Sequence, residues 1–466
     1  MPILIQNGRV VTATDDECLD IYCADDTITR IEPVIDPASL PNDTDVIDAT
    51  DHLVFPGFID PHVHIHLPFM GTHARDDYGS ASRAALAGGT TTMIEMVCPS
   101  RDDDPLDAFH DWNARAASLA AVDYSFHIGV VRFDEAARRS LERLAREEGM
   151  TSFKVFLAYK GALDLPDEHL FELLTMARSL GVVVAAHCEN ADVVEAMQRR
   201  LLDMGRTGPE WHEPSRPTIV EASGVTLLSM LAEVTGATVY CVHTSCAEAL
   251  EAAERAQRRG VDVRVEVVAP HLVLDASLAE QPDGEGAKFV MSPPLRAAHH
   301  QEALWSGIRR RSILTIGTDH APFDTMQKAM GRDDFTKIPN GVPSLQERNR
   351  LVYTHGVTTG RIDLHTFVDA CSTAAARCFG LYPRKGTIRI GSDADLVVFD
   401  PSHEGTLSVT TSASNVDYNA FEGWPVRGRV RTATVRGEVQ VRDGRFVGTE
   451  GRGVLLRRHH RADERA

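Results

Sequence analysis

Two histidines one residue apart, His62 and His64 in the run 57–65 (GFIDPHVHI), are the first residues in this chain that could do chemistry. Side chains alternate between the faces of a strand, so a His-x-His pair in extended backbone sends both imidazoles the same way. That geometry suits a single cation. Four more residues sit in similar apolar runs: Lys154 in 151–159 (TSFKVFLAY), His187 in 182–188 (VVVAAHC), His243 in 238–245 (TVYCVHTS) and Asp319 in 313–321 (ILTIGTDHA). Taken singly, each has a plain explanation. A histidine in an apolar strand is most often a hydrogen-bonded core residue, and Asp319 after Gly317-Thr318 can be a turn residue. Lys154 is one of six lysines and is flanked by large apolar groups. A cation there needs a partner or must lose its charge. Tyr159 either packs as an aromatic on the rim or lends its hydroxyl to the chemistry.

The runs that carry these residues belong to a regular series. Eight strand-like segments, at 57–65, 90–97, 124–131, 151–159, 182–188, 238–245, 261–268 and 313–321, alternate with helical patterns such as 166–180 and 247–259. This rhythm predicts an α/β fold, a (β/α)8 TIM-like barrel, over 55–384. An open doubly wound sheet is the competing arrangement, but no GxGxxG follows a first strand. The chain ends read differently. Two short strands around Asn7-Gly8-Arg9, a pair around Ala24-Asp25-Asp26, and late strands at 387–399 and 433–446 predict a small discontinuous β-sandwich domain built from 1–54 and 385–452. Residues 453–466 read as a charged tail, with a His459-His460 pair of no assigned role.

In such a barrel, function sits where the strands end. His62 and His64 end strand one, Lys154 lies in strand four, His187 ends strand five, His243 strand six and Asp319 strand eight. Their joint placement on one rim points to a metal site, since four imidazoles and a carboxylate can hold a divalent ion such as zinc.

Composition narrows the class further. The chain has 466 residues, 67 acidic and 48 basic, with a net charge of −19. Nucleic-acid and anionic-membrane partners normally demand the opposite balance. No apolar run reaches the roughly 18 residues of a membrane span, and the first residues lack a signal-peptide core. The expectation is a soluble cytoplasmic protein. The eight cysteines form no CxxC pair and read as reduced, mostly buried thiols.

Several segments together resemble the dihydropyrimidinase/D-hydantoinase family of the amidohydrolase superfamily. They are 57–64 (GFIDPHVH), 68–72 (PFMGT), 152–160 (SFKVFLAYK), 187–190 (HCEN), 291–296 (MSPPLR), 317–320 (GTDH), 335–343 (FTKIPNGVP) and 380–386 (GLYPRKG). The resemblance spans nearly the whole chain. It implies a binuclear centre of two divalent metals, most often zinc. His62 and His64 would bind the more buried metal and His187 and His243 the second. Lys154 would bridge them as a carbamate formed with carbon dioxide (N6-carboxylysine). Asp319 would bind the buried metal and act as base, Tyr159 would stabilise the oxyanion, and backbone at Ser292 and Asn340 would bind a cyclic imide. The implied activity opens 5,6-dihydropyrimidines, 5-substituted hydantoins or both, giving N-carbamoyl amino acids, in a homotetramer or homodimer.

The chemistry is coherent. Ring opening needs activated water, a polarised carbonyl and a proton for the leaving nitrogen, which two metals, an acid–base carboxylate and a phenol can supply. Ring substituents would face the loops 67–72 and 157–163, where Phe69, Met70, Leu157 and Leu163 form an apolar pocket. An allantoinase or dihydroorotase is the alternative within the superfamily, and 335–343 argues against it. Non-catalytic scaffold relatives would be expected to lose ligands, and all six positions stand here. Three features depart from expectation: His66, read as a loop residue and not a third ligand; the strand-seven segment 266–272 (EVVAPHL); and Trp211-His212, read as surface packing.

Overall fold

The computed structural model describes residues 2–458. Eight parallel strands form the barrel: β1 (Phe58–Val63), β2 (Thr90–Val97), β3 (Asp123–Gly129), β4 (Ser152–Phe156), β5 (Val183–His187), β6 (Val239–Cys241), β7 (Val263–Val268) and β8 (Thr315–Gly317). They lie side by side in sequence order from β1 to β8. Closure between β8 and β1 falls just beyond the strand ends. There Asp319 N–H donates to His62 O at 2.9 Å and His64 N–H donates to His320 O at 2.8 Å. The ladder that shuts the barrel therefore runs through three of the six residues singled out from the sequence.

All eight strands are buried, as expected for parallel strands covered by helices. The helices start on caps written in the sequence. Asp77, Asp134 and Asn190 each accept a backbone N–H in the first turn of the helices Tyr78–Ala87, Glu135–Arg146 and Ala191–Asp203. One helix, Thr218–Thr235, is long and apolar enough to cross a membrane, and half of it is buried. Its Val225, Leu228 and Leu231 belong to the main core, which marks it as a barrel-covering helix.

Both chain ends pair into one nine-stranded sheet. The join is antiparallel, between Leu53–Pro56 and Leu396–Thr406, with Val54 opposite Val398. Two local expectations change. Ile3–Val11 is one strand with a bulge, not two strands around a turn. Asn7 takes a φ of 61° there, and its N–H donates to Asp20 at 2.8 Å, so the extra residue is absorbed without reversing the chain. The late strand begins at Leu396 and not at 387, because Gly391 (φ 91°) turns the chain before it.

Residues 453–458, expected to belong to a charged tail, are ordered parts of the fold. They lie against the barrel, with Leu456 N–H donating to Tyr124 O at 2.7 Å. Arg458 is buried, donates to Ser152 Oγ at 2.8 Å, and also donates to Phe126 O. The His459-His460 pair lies outside the described residues.

Candidate metal centre and its cavity

β1 brings His62 and His64 inward together, while Val63 between them faces the main hydrophobic core. Asp319 arrives from β8. His62 Nε2 lies 3.1 Å and His64 Nε2 3.0 Å from the same Asp319 oxygen, Oδ1. One donor atom from each of the three residues falls within 4.8 Å of the others. The rings of His243 and His187 continue the cluster: His243 is 5.3 Å from His62 and 4.5 Å from His187, centroid to centroid. Lys154 is 1% exposed and has its Nζ 4.6 Å from the Phe156 ring. Asp319, His243 and Tyr159 all hold positive φ, at 52°, 38° and 63°. Non-glycine residues are rare in that region, and several together at one site mark backbone shaped for a purpose.

Hydrogen bonding around His62 tests whether these residues suit a metal. Its Nδ1 sits 2.7 Å from Glu266 Oε1. An ionised carboxylate only accepts, so Nδ1 carries a proton and Nε2 is the nitrogen left to face Asp319. That nitrogen is buried without a hydrogen-bond partner, and it faces a carboxylate oxygen. That short approach to an anion needs positive charge between the two atoms, which a proton on Nε2 or a divalent cation in its place can supply. The donor set fits a divalent cation.

The electrostatics agree. Burial disfavours a charged His62, but the Glu266 and Asp319 carboxylates outweigh it and raise its pKa to about 9, so the site attracts positive charge. Burial lowers His64 to about 4, and pushes His187 down and His243 well down, which leaves neutral imidazoles with lone pairs to offer. Burial also lowers the Lys154 amine. Asp319 is held well below the ordinary carboxylate range, its burial offset by His62 and His64.

A cavity of about 590 Å³ opens above the cluster. Its wall includes His64, Lys154, His187, His243 and Asp319, together with Tyr159, Ser292 and Asn340. Asn340 Nδ2 donates to Ser292 Oγ at 2.8 Å. Phe69, Met70 and Leu163 line the cavity as expected. Leu157 does not, because it packs into the main core. His66 faces His73 at 5.1 Å between ring centroids, away from the ligand cluster.

Residues beyond the first set complete the site. Glu266 binds His62, accepts the His243 N–H at 2.9 Å and accepts the Tyr240 hydroxyl at 2.8 Å. Glu189 Oε2 lies 2.7 Å from His187 Nε2 and accepts from Arg216 at 2.6 Å. Burial alone would raise Glu189, but Arg216 and His187 prevail and bring it to about 2. His212, expected at the surface, is buried, lines the cavity and has its Nε2 2.9 Å from Met291 O. Trp211 is half-buried against the Phe335 and Ile338 cluster.

The fold and site together define a hydrolase barrel, and comparison with known proteins gives its family. Residues 53–440 match the amidohydrolase family. The chain is 42% identical to the D-hydantoinase of Geobacillus stearothermophilus, covering 98% of this chain and 97% of that one. It is 38% identical to the dihydropyrimidinase of Dictyostelium discoideum, covering 98% and 90%. The solved D-hydantoinase (dihydropyrimidinase) from Thermus sp. superposes with a TM-score of 0.96 at 52% identity, over 98% of this chain and 99% of that one. The chain is an enzyme of the amidohydrolase family, and within it belongs to the D-hydantoinase/dihydropyrimidinase group.

Proposed function

We propose that this enzyme is a binuclear-metal cyclic amidase that hydrolyses the ring amide of 5,6-dihydropyrimidines, 5-substituted hydantoins or both, releasing N-carbamoyl amino acids. The observation that carries this reading is the meeting of His62, His64 and Asp319 at the foot of a cavity that also receives Lys154, His187, His243 and Tyr159. Full-length similarity to enzymes named for hydantoins and dihydropyrimidines supports the substrate class.

His62, His64 and Asp319 would hold one metal and His187 and His243 the other. Lys154 would join them as a carbamate, made when its neutral amine takes up carbon dioxide and loses a proton. When bound, divalent metal, zinc in this reading, supplies Lewis-acid activation of water and of the ring carbonyl. Asp319 accepts the proton of the attacking water and passes it to the ring nitrogen as the C–N bond breaks. Tyr159 donates its hydroxyl to the oxyanion that forms at the carbonyl. Burial raises the Tyr159 pKa, which keeps that proton in place. Backbone at Ser292 and Asn340 holds the imide edge of the ring. Phe69, Met70 and Leu163 receive the ring substituent.

A kinetic panel of dihydrouracil, dihydrothymine, hydantoin and 5-phenylhydantoin, run with metal analysis of the same preparation, tests the reading. The expected result is turnover of at least one ring, close to two divalent ions per chain, and loss of activity on chelation. Full turnover by metal-free protein would sink it.

A further inference from the structure

Lys328 is buried and has no part in the chemistry described above. Its Nζ donates to three backbone carbonyls: Val290 O at 2.8 Å, Pro339 O at 2.7 Å and Gly341 O at 2.7 Å. An ammonium has three protons to donate, and here each has a carbonyl acceptor. Those carbonyls come from two separate loops. Val290 lies two residues before Ser292, and Pro339 and Gly341 bracket Asn340. Lys328 therefore clasps the two segments assigned to the imide edge of the ring.

The clasp has a fixed base. Lys328 ends the short helix Thr325–Lys328, which Asp324 and Gln327 close with a capping box. Gln327 Nε2 also donates to Thr72 Oγ1 at 2.6 Å and to His73 O at 2.7 Å. Its grip on the second loop depends on an unusual backbone. Gly341 holds a φ of 152°, and a Cβ there would stand 2.2 Å from Ala321 O. That conformation lets Gly341 offer its carbonyl to Lys328 while its N–H donates to Val290 O at 3.0 Å. Together these bonds set the spacing between the two loops.

We infer that Lys328 is a positioning residue for substrate binding: its three hydrogen bonds hold the Ser292 and Asn340 backbone at the spacing a cyclic imide requires. The inference rests on the proposed ring-binding role of those two segments. Because the clasp acts on the ring edge and not on the substituent pocket, its loss raises KM by a similar factor for every ring the enzyme accepts. The metal cluster is untouched by it.

The test compares wild type with Lys328→Met, which keeps the stem and removes every donor, on unsubstituted and 5-substituted rings. The expected result is a KM increase of roughly tenfold or more that does not depend on the substituent, a smaller change in kcat, and unchanged metal content. A purely structural role would reduce the active fraction, lowering kcat and leaving KM alone, and that result overturns the inference. So does a KM penalty that grows with substituent size. Lys328→Gln, which keeps two donors, is made alongside and carries the test if the Met variant does not fold. Its KM should rise less than the Met variant's but clearly above wild type, and an unchanged KM overturns the inference. If wild type opens no ring in the panel, the functional reading fails and the inference falls with it. If wild type is active and the variants keep its KM, only the role of Lys328 is wrong.

Discussion

Glu266 holds His62 by its ring and His243 by its backbone with the same oxygen, Oε1, at 2.7 and 2.9 Å. One carboxylate on β7 thus orients a residue assigned to each of the two proposed metals. Its other oxygen is fixed by the Tyr240 hydroxyl, which also meets Thr315 Oγ1 at 2.5 Å. Gly317 makes room for this arrangement, since a Cβ there would lie 3.1 Å from Glu266 and 3.2 Å from His62.

Replacing Glu266 by Gln keeps the shape and removes the anion. The His62 ring loses the acceptor that fixes its tautomer, and the site loses negative charge that favours a cation. Losing such a supporting carboxylate typically weakens metal affinity about 10- to 100-fold. Competition with a graded chelator series should place Glu266→Gln in that range, with a folded barrel by circular dichroism. Unchanged metal affinity would show that β1 and the cluster hold His62 without help.

Tyr159→Phe keeps the ring, which packs 5.5 Å from both Phe69 and His187, and removes only the hydroxyl. Removal of one oxyanion donor costs on the order of 10²–10³ in kcat. Metal content should stay the same. A rise in KM at constant kcat would instead make Tyr159 a binding residue.

The parts of the site that were legible in sequence are those with a local signature. His-x-His declares its own geometry through the two-residue strand period, and a lysine among aromatic and branched residues declares a charge that needs explaining. Strand ends gave His187, His243 and Asp319 their common rim. Glu266 was not found this way because its partner His62 lies 204 residues away. A signal did exist: a carboxylate within the apolar run 261–268 is a buried charge that must be paired. Lys328 ends a four-residue helix and His212 follows a single helical turn, and in such short segments nothing local distinguishes a buried side chain from a solvated one. The bulge at Asn7 is not legible in sequence, because Asn-Gly is also the strongest short-range hairpin signal.

Glu95 provides a test of pH-linked stability. It is buried, accepts Ile65 N–H at 2.9 Å and accepts the Tyr78 hydroxyl. Burial raises its pKa from an ordinary 4.5 to about 8. A carboxyl whose folded pKa lies above its unfolded value binds its proton more tightly when folded. Its contribution is complete below the unfolded pKa and is lost as pH rises towards the folded one. Between about pH 5 and 8, wild type should therefore lose stability relative to Glu95→Gln, whose side chain cannot ionise. Denaturant midpoints across that window should show the Gln variant with the flatter profile. Parallel profiles would mean that Glu95 does not carry the linkage.

Lys154 gives the sharpest test of the proposed chemistry. Its amine is buried among cation ligands, and burial already lowers its pKa. An ammonium there would oppose metal binding by charge repulsion, whereas a carbamate supplies an anionic bridge. Lys154→Ala should therefore lose most of its metal and nearly all activity. Lys154→Arg should do no better, since guanidinium stays charged and cannot take up carbon dioxide. A short carboxylate such as acetate or propionate should restore part of the activity of Lys154→Ala by occupying the vacated space. Native mass spectrometry of the metal-loaded wild type should show the added mass of carbon dioxide, and Lys154→Ala should lack it. A bare amine on Lys154 beside two fully occupied metals would overturn the assignment.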